Sequence, residues 1–284
     1  MSGESVRVVT VAFNPGEELA LFAESLGQAT QSGTELVIVD NGTEHDLVDA
    51  VGRAYGAKVL RPGVNLGYGA AVNLGAVSPG FDGRWLLVAN PDVVFLPGSL
   101  DGLLAAAAAW PNAGAFGPLI RDGRGEVYPS ARRFPRLVSG SGHALLSGVW
   151  PSNPFSRAYR EHADTTRAHT VDWLSGACIL LRWEAFAGVG GFDESYFMFF
   201  EDTQLGEQLA GAGWECVYVP DAEVVHEQGV SWRDKPEDML RAHHRSAAHY
   251  LDGVYSRPGQ APLRLALHAG LKVREEVQVR LARK

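Results

Sequence analysis

Up to about residue 120 the apolar positions alternate between two patterns. Short, nearly continuous apolar runs occupy Val6 to Phe13, Glu35 to Asp40, Ala57 to Leu60 and Trp85 to Ala89. Between and after them, Glu17 to Ala29, Asp46 to Tyr55, Gly69 to Ser78 and Ser99 to Trp110 repeat with the period of about 3.6 residues expected of helices. Strands that are apolar throughout are buried on both faces. The repeat therefore predicts an α/β fold: a Rossmann-like, mostly parallel central sheet flanked by helices, with ligands at the carboxyl ends of the strands. Asp40 and Asp92 fall at such ends.

Residues 118–170 break the pattern, being rich in Pro, Gly, Arg and Ser. A stretch of that length without regular structure is usually functional. Order returns at Val171 to Arg182, which reads as one central strand. A short helix from Glu184, a turn at Gly190-Gly191, a helix from Thr203 to Ala212 and a strand from Trp214 to Val219 complete the body. Residues 231–284 predict a C-terminal helical extension.

Charge separates that extension from the rest. Residues 1–230 hold 14 Lys/Arg against 27 Asp/Glu, whereas residues 231–284 hold 11 against 6. An acidic body excludes general nucleic-acid binding, which needs a basic face. The tail interleaves Leu263, Leu265, Leu267, Leu271, Val273, Val277 and Leu281 with Arg264, Lys272, Arg274, Arg280, Arg283 and Lys284. It reads either as a helix lying on an anionic membrane surface or as one packed on the body with a solvated charged face. The longest uniformly apolar stretch, Leu103 to Trp110, is far short of the roughly 20 residues of a membrane span. Cys178 and Cys216 sit in apolar runs and read as buried thiols. With no leader pattern at the start, the expectation is a cytoplasmic protein.

Candidate chemistry lies in two distant segments, Asn90-Pro91-Asp92 at a strand end and Glu201-Asp202 behind Gly190-Gly191-Phe192-Asp193-Glu194. A carboxylate at a strand end can hold a Mg2+ or Mn2+ ion on a diphosphate, and a second acidic pair can take a proton from a hydroxyl. Asp40 can accept the N3–H of a pyrimidine or cap the turn made by Asn41-Gly42. Gly67 and Gly69 allow close backbone approach to a ligand at a helix start; Asn65 and Asn73 either contact that ligand or cap the helix. Arg132, Arg133 and Arg136 form either a phosphate clamp or a solvated basic loop. Trp173, with Gly176, suggests a wall beside an acceptor. No Gly-x-Gly-x-x-Gly turn follows the first strand, which disfavours a dehydrogenase.

The order and spacing of Val39-Asp40-Asn41-Gly42, Asn65 to Asn73, Asn90-Pro91-Asp92, Trp173 to Ala177, Gly190 to Glu194 and Tyr196 to Asp202 resemble the family 2 inverting glycosyltransferases. Within that family the chain resembles actinobacterial rhamnosyltransferases that act on polyprenyl-diphosphate-linked N-acetylglucosamine in the arabinogalactan linkage unit. Gly117 to Arg132 and Val149 to Pro154 extend the likeness. The resemblance implies a GT-A fold with a nucleotide-sugar half at 1–117 and an acceptor and catalytic half at 118–230. It also implies a dTDP-sugar donor contacted by Phe13, Asn14, Asp40, Asn65, Gly67, Gly69, Asn73, Asn90 and Asp92, with a cation on Asp92 and His226. His226 reads equally as a strand-end histidine. Asp202 is the implied general base, and Glu201 orients the acceptor or caps a helix. The acceptor would meet Trp173, Gly176, Arg132 and Arg133 at the inner face of the plasma membrane; a homodimer is left open. Asn90 replaces the first carboxylate of the family's Asp-x-Asp, and Thr203-Gln204 replaces its usual hydrophobic-Asp pair. A UDP-galactofuranose or UDP-hexose donor, or a silent sugar-nucleotide-binding scaffold, are the alternatives.

Overall fold

The computed structural model describes residues 5–135, 164–227 and 236–282. Arg136, the Val149 to Pro154 stretch, Arg283 and Lys284 lie outside the described residues. The first repeat forms as the hydrophobic pattern dictates: β1 (Val6–Ala12), α1 (Glu18–Ala29), β2 (Thr34–Asp40), α2 (Asp46–Tyr55), β3 (Lys58–Leu60), α3 (Tyr68–Ala76) and β4 (Trp85–Ala89). β1 lies between β2 and β4, parallel to both, with Val6 opposite Thr34 and Trp85.

The chain continues through β5 (Val93–Phe95), α4 (Ser99–Ala109), β6 (Ala113–Arg121), β7 (Val127–Tyr128), β8 (Ala131–Arg132), β9 (His169–Val171), β10 (Trp173–Leu174) and β11 (Cys178–Arg182). Then come α5 (Trp183–Gly188), α6 (Glu201–Gly211), β12 (Glu215–His226), α7 (Pro236–Val254) and α8 (Ala261–Ala282). The main sheet has the order β3-β2-β1-β4-β11-β6-β12-β5. Along it β11 and β5 run against the other strands, so the sheet is mixed but mostly parallel.

Two expectations change, and the division between the two halves of the 1–230 domain is located in the sheet. The predicted strand from Val171 to Arg182 is three pieces, because a turn at Ser175 interrupts it: Cys178 N–H and Ala177 N–H return to the Ser175 carbonyl and hydroxyl. The strand predicted for Trp214 to Val219 runs on to His226, its pairing with β6 shifting in register between Val219 and Glu223. The division at 117/118 falls inside β6, and β11 from the second half pairs with β4 of the first. One continuous sheet therefore crosses the expected boundary.

Side-chain alternation sorts the core into two layers. Leu36, Ile38 and Leu87 point to one face, under α1, α2 and α4. Val37, Val39, Leu86 and Val88 point to the other, under α3, α5 and α6. Each fully buried aliphatic contributes about 1.5–3 kcal/mol, so both faces are strongly specified and the strand ends are held in register.

Candidate active site

β2 ends at Asp40, whose side chain is wholly buried. Oδ1 accepts from Gly42 N–H at 3.1 Å; Oδ2 lies 2.7 Å from His45 Nδ1 and 3.1 Å from Arg61 Nε. Asp40 thus caps the turn and anchors a cation. Arg61, which also bonds Asp49, and the His45 ring reach solvent from this end of the sheet. The sequence reading passed over both, since neither belongs to a periodic pattern. Beside them, Asn14 adopts a φ of 46° and its Oδ1 accepts from Thr43 N–H (2.7 Å) and Glu44 N–H (3.1 Å), tying the ends of β1 and β2 together; Phe13 is half-buried next to it.

The glycine turn before α3 works differently from expectation. Gly67 has a φ of 82°, and an added Cβ would stand 2.2 Å from the Phe197 carbonyl oxygen. That carbonyl accepts from Tyr68 N–H at 2.9 Å, so the N–H at the helix start is spent within the protein. Asn65 Oδ1 accepts from Gly67 N–H, and Asn41 donates to the Gly67 carbonyl. At Gly69 an added Cβ would meet Phe192 at 3.0 Å. The two glycines admit the 192–197 segment. Asn73 lies within α3 and does not cap it: its amide donates to the Phe192 carbonyl (2.8 Å) and to Glu194 (3.0 Å) and accepts from Phe192 N–H (2.9 Å). It clamps the Gly-Gly-Phe-Asp-Glu turn onto α3.

Asn90, Asp92 and His226 converge. β5 pairs with β12 so that Val93 faces His226, and this register brings the imidazole onto the neighbouring Asp92. His226 Nε2 lies 3.0 Å from Asp92 Oδ1 and 3.3 Å from Asn90 Nδ2, and both Asp92 and His226 are buried. A carboxylate and an imidazole nitrogen at this separation fit two positions of a Mg2+ or Mn2+ shell. No third His, Cys, Asp or Glu joins them among the described residues, so the remaining positions would fall to substrate oxygens and water.

Glu201 and Asp202 open α6. The two preceding residues, Phe199 and Phe200, both have a φ of 67°, a left-handed conformation that is uncommon for aromatic side chains and turns the acidic pair inward. Asp202 accepts from Gly176 N–H (3.1 Å) and Thr203 N–H (2.7 Å). Burial still lifts its pKa above the ordinary carboxylate range, opposed by these donors and by the field of Arg132. Glu201 is pushed up to about 8 by burial and by the adjacent Asp202, and its Oε2 has no hydrogen-bond partner. Both carboxyls are thus held above their ordinary range, with two backbone N–H donors opposing the shift at Asp202 and no donor on Glu201 Oε2.

Backbone bonds join the two acidic centres. Asn90 N–H donates to the Ala177 carbonyl at 2.9 Å, while the adjacent Gly176 N–H binds Asp202. Tyr68 stands between: its hydroxyl donates to the Gly176 carbonyl at 2.7 Å, and its pKa is raised well above the ordinary value by burial and then by Glu201, Asp202, Cys178 and Asp92. Residues 92 and 202 thus act on one phenol. Tyr68 is a site residue the sequence reading missed, because it read as an ordinary aromatic in a glycine-rich turn.

Arg132 lies 5.3 Å from the Tyr128 ring and 5.1 Å from the Trp173 ring, and donates to the Pro129 carbonyl and the Tyr128 hydroxyl. Trp173 is buried, donates to the Arg133 carbonyl, and packs against α6 at Gly206, so it supports Arg132 instead of offering an open stacking face. Arg133 is exposed. α7 braces the aromatic run from behind: Ser246 donates to the Met198 carbonyl, Tyr250 to Glu207, and His243 lies against Phe199 and Phe200.

Residues 8–245 match the family model described as glycosyltransferase like family 2. The chain is 45% identical to the N-acetylglucosaminyl-diphospho-decaprenol L-rhamnosyltransferase of Mycobacterium tuberculosis, the match covering 96% of this chain and 92% of that protein. It is 29% identical to rhamnosyltransferase WbbL of Escherichia coli over 60% of this chain and 62% of that one. Among solved structures it resembles GalNAc-T7 with UDP, GalNAc and Mn2+ (TM-score 0.62, 18% identity, covering 86% of this chain and 47% of that one). It also resembles the mannosyltransferase PcManGT of Pyrobaculum calidifontis with GDP-Man and Mn2+ (TM-score 0.58, 14% identity, covering 93% and 68%). At these identities the structural likeness speaks for the fold, which is GT-A-like.

Proposed function

The chain belongs to the family 2-like glycosyltransferases, and we propose that it transfers L-rhamnose, with inversion, from dTDP-L-rhamnose to a polyprenyl-diphosphate-linked N-acetylglucosamine at the inner face of the plasma membrane. The observation that carries the reading is the pair of bonds made by the Gly176-Ala177 segment, one to Asn90 and one to Asp202. They tie Asn90, two positions from Asp92, and Asp202 to adjacent residues, which supports reading the two acidic centres as parts of one site. The identity of the sugar and the lipid rests on the relative covering nearly the whole chain.

In this reading Asp202 takes the proton from the acceptor hydroxyl. The hydroxyl oxygen then attacks the anomeric carbon from the side opposite the diphosphate, whose bond to that carbon breaks and whose oxygen keeps the electron pair. One displacement gives inversion. Gly176 N–H and Thr203 N–H hold the Asp202 oxygens, and the Tyr68 hydroxyl fixes the Gly176 peptide that supplies the first of these donors. Protonated Glu201 adds no second charge to repel. A divalent cation held by Asp92 and His226 would supply positive charge to the leaving diphosphate. Asn90, in place of a carboxylate, leaves that cluster with one negative charge fewer. Arg132 and Arg133 flank the base side, where the acceptor's diphosphate would lie.

The test is turnover with purified protein, Mn2+ or Mg2+, dTDP-L-rhamnose and a polyprenyl-diphosphate-N-acetylglucosamine, with UDP-galactofuranose and UDP-hexoses run in parallel. Formation of a lipid-linked disaccharide from dTDP-L-rhamnose alone is expected. A product from a UDP donor only would replace the donor assignment, and no product from any donor would favour a binding scaffold.

A further inference from the structure

The C-terminal helix α8 is built inside out for a soluble protein. The side that meets α7 is mostly polar: Arg241 donates to Glu275 at 2.9 Å, His268 lies 3.0 Å from Asp252, and Arg264 donates to the Tyr255 carbonyl, with Val279 the buried aliphatic among them. Leu267 and Leu271 are half-buried, and apart from Val279 the other aliphatics of α8 face outward. Leu265, Val273, Val277 and Leu281 are 74%, 66%, 51% and 65% exposed, and Leu263 is exposed beside them.

At about 3.6 residues per turn, Pro262, Ala266, Ala269, Val273 and Val277 share the arc opposite Glu275, with Leu265 on one margin and Leu263 and Leu281 on the other. Arg280 lies within this arc, Arg274 at its edge, and Glu276 beside the Leu265 margin, where Lys272 and Arg241 stand close to it. A helix usually turns its apolar stripe to its own core. Here that stripe is turned away from it.

From this we propose that the outer face of α8 seats the protein on an anionic lipid bilayer, the helix lying in the plane of the interface with its aliphatics in the acyl boundary and Arg274 and Arg280 among the headgroups. Three observations select this occupant. The outward aliphatics of α8 are flanked by Arg274 and Arg280, a pairing that fits a helix lying in the interface. The tail's 11 basic residues against 6 acidic contrast with an acidic body, so an anionic surface attracts this end and repels the rest. Finally, α8 rests on α7, and α7 braces the aromatic run that leads into Asp202. A bilayer under α8 would thus lie near the side where a lipid-linked acceptor must enter. This last point rests on the proposed function; the first two do not.

Flotation of the full chain with vesicles separates the possibilities. Wild-type protein is expected to rise with vesicles of equal parts phosphatidylcholine and phosphatidylglycerol and far less with phosphatidylcholine alone. The V273E/V277E double variant should lose at least tenfold in partitioning, and R274E/R280E should lose the preference for anionic vesicles. Both variants should keep wild-type melting curves and wild-type turnover on a short-chain, water-soluble acceptor analogue. Equal flotation of wild type and V273E/V277E overturns the proposal. So does a wild-type dimer in light scattering that V273E/V277E splits, which would assign the face to a second copy. Normal flotation with no turnover in any protein would sink the proposed function and leave the membrane face standing.

Discussion

Glu201 and Asp202 are chain neighbours in different surroundings, and the difference lies in their donors. Asp202 receives two backbone N–H groups and the field of Arg132, whereas Glu201 Oε2 receives nothing. Asp202→Asn should lower kcat about 10²–10⁴-fold while donor affinity by calorimetry stays unchanged; retention of more than a tenth of the rate would remove Asp202 as the base. Glu201→Gln mimics the protonated acid and should keep most of the activity. It should also change the pH dependence of stability. The folded pKa of Glu201, about 8, exceeds its ordinary 4.5, so its contribution is fully present below pH 4.5 and is lost as pH rises through about 8. In Glu201→Gln, melting temperature should decline less across that window, and an unaltered profile would show that Glu201 is ionised in the fold. For Asp92→Ala, the enhancement of donor binding by Mn2+ should vanish in calorimetry. Undiminished enhancement would place the cation elsewhere.

Elements were legible in proportion to their local pattern. Apart from the three-residue β5, which the pattern does not predict, the strands and helices of residues 6–109 emerge close to their predicted bounds, because burial on both faces leaves an unmistakable apolar signature. β6 escaped notice, since Ala113-Gly114-Ala115-Phe116-Gly117-Pro118 looks like a loop; its glycines make room for Ala185 and Leu174, a tertiary requirement that no short window shows. Site residues divide the same way. Asp92 and Asp202 could be found from their motifs, but the tasks of Gly67 and Asn73 depend on contact with residues 191–197, more than a hundred positions away. The sequence pattern marked these residues as special without revealing their partner. Gly67→Ala must force a left-handed conformation and displace the Phe197 carbonyl, so it should cost about 2 kcal/mol or more and lower kcat by misplacing the acidic pair. Urea unfolding with a parallel rate assay checks both, and a neutral effect would mean that the 192–197 segment does not dock on α3.

At the scale of the molecule, β11 decides how the halves relate. It enters the sheet antiparallel between β4 and β6, so the carboxyl end of β4 and the Ser175–Ala177 turn that binds Asp202 are stitched by one strand. The unit that carries the site is therefore the whole of β1 through β12, with α7 bracing it. Fragments cut near residue 117 should fail to fold separately, which loss of near-UV circular dichroism in each fragment would register. Two independently ordered fragments would contradict the continuous sheet.

The same insertion imposes a delay during synthesis. Ala89 on β4 pairs with Cys178 on β11, about ninety residues later. A ribosome adding roughly 5–20 residues per second leaves the outer edge of β4 without that neighbour for about 5–18 seconds. During that interval Leu86, Leu87 and Val88 present an open apolar strand to the cytosol, the kind of edge that templates aggregation or recruits a chaperone. Nascent chains arrested before residue 178 should be cleaved readily by protease, and those arrested once residue 226 has cleared the exit tunnel should resist it.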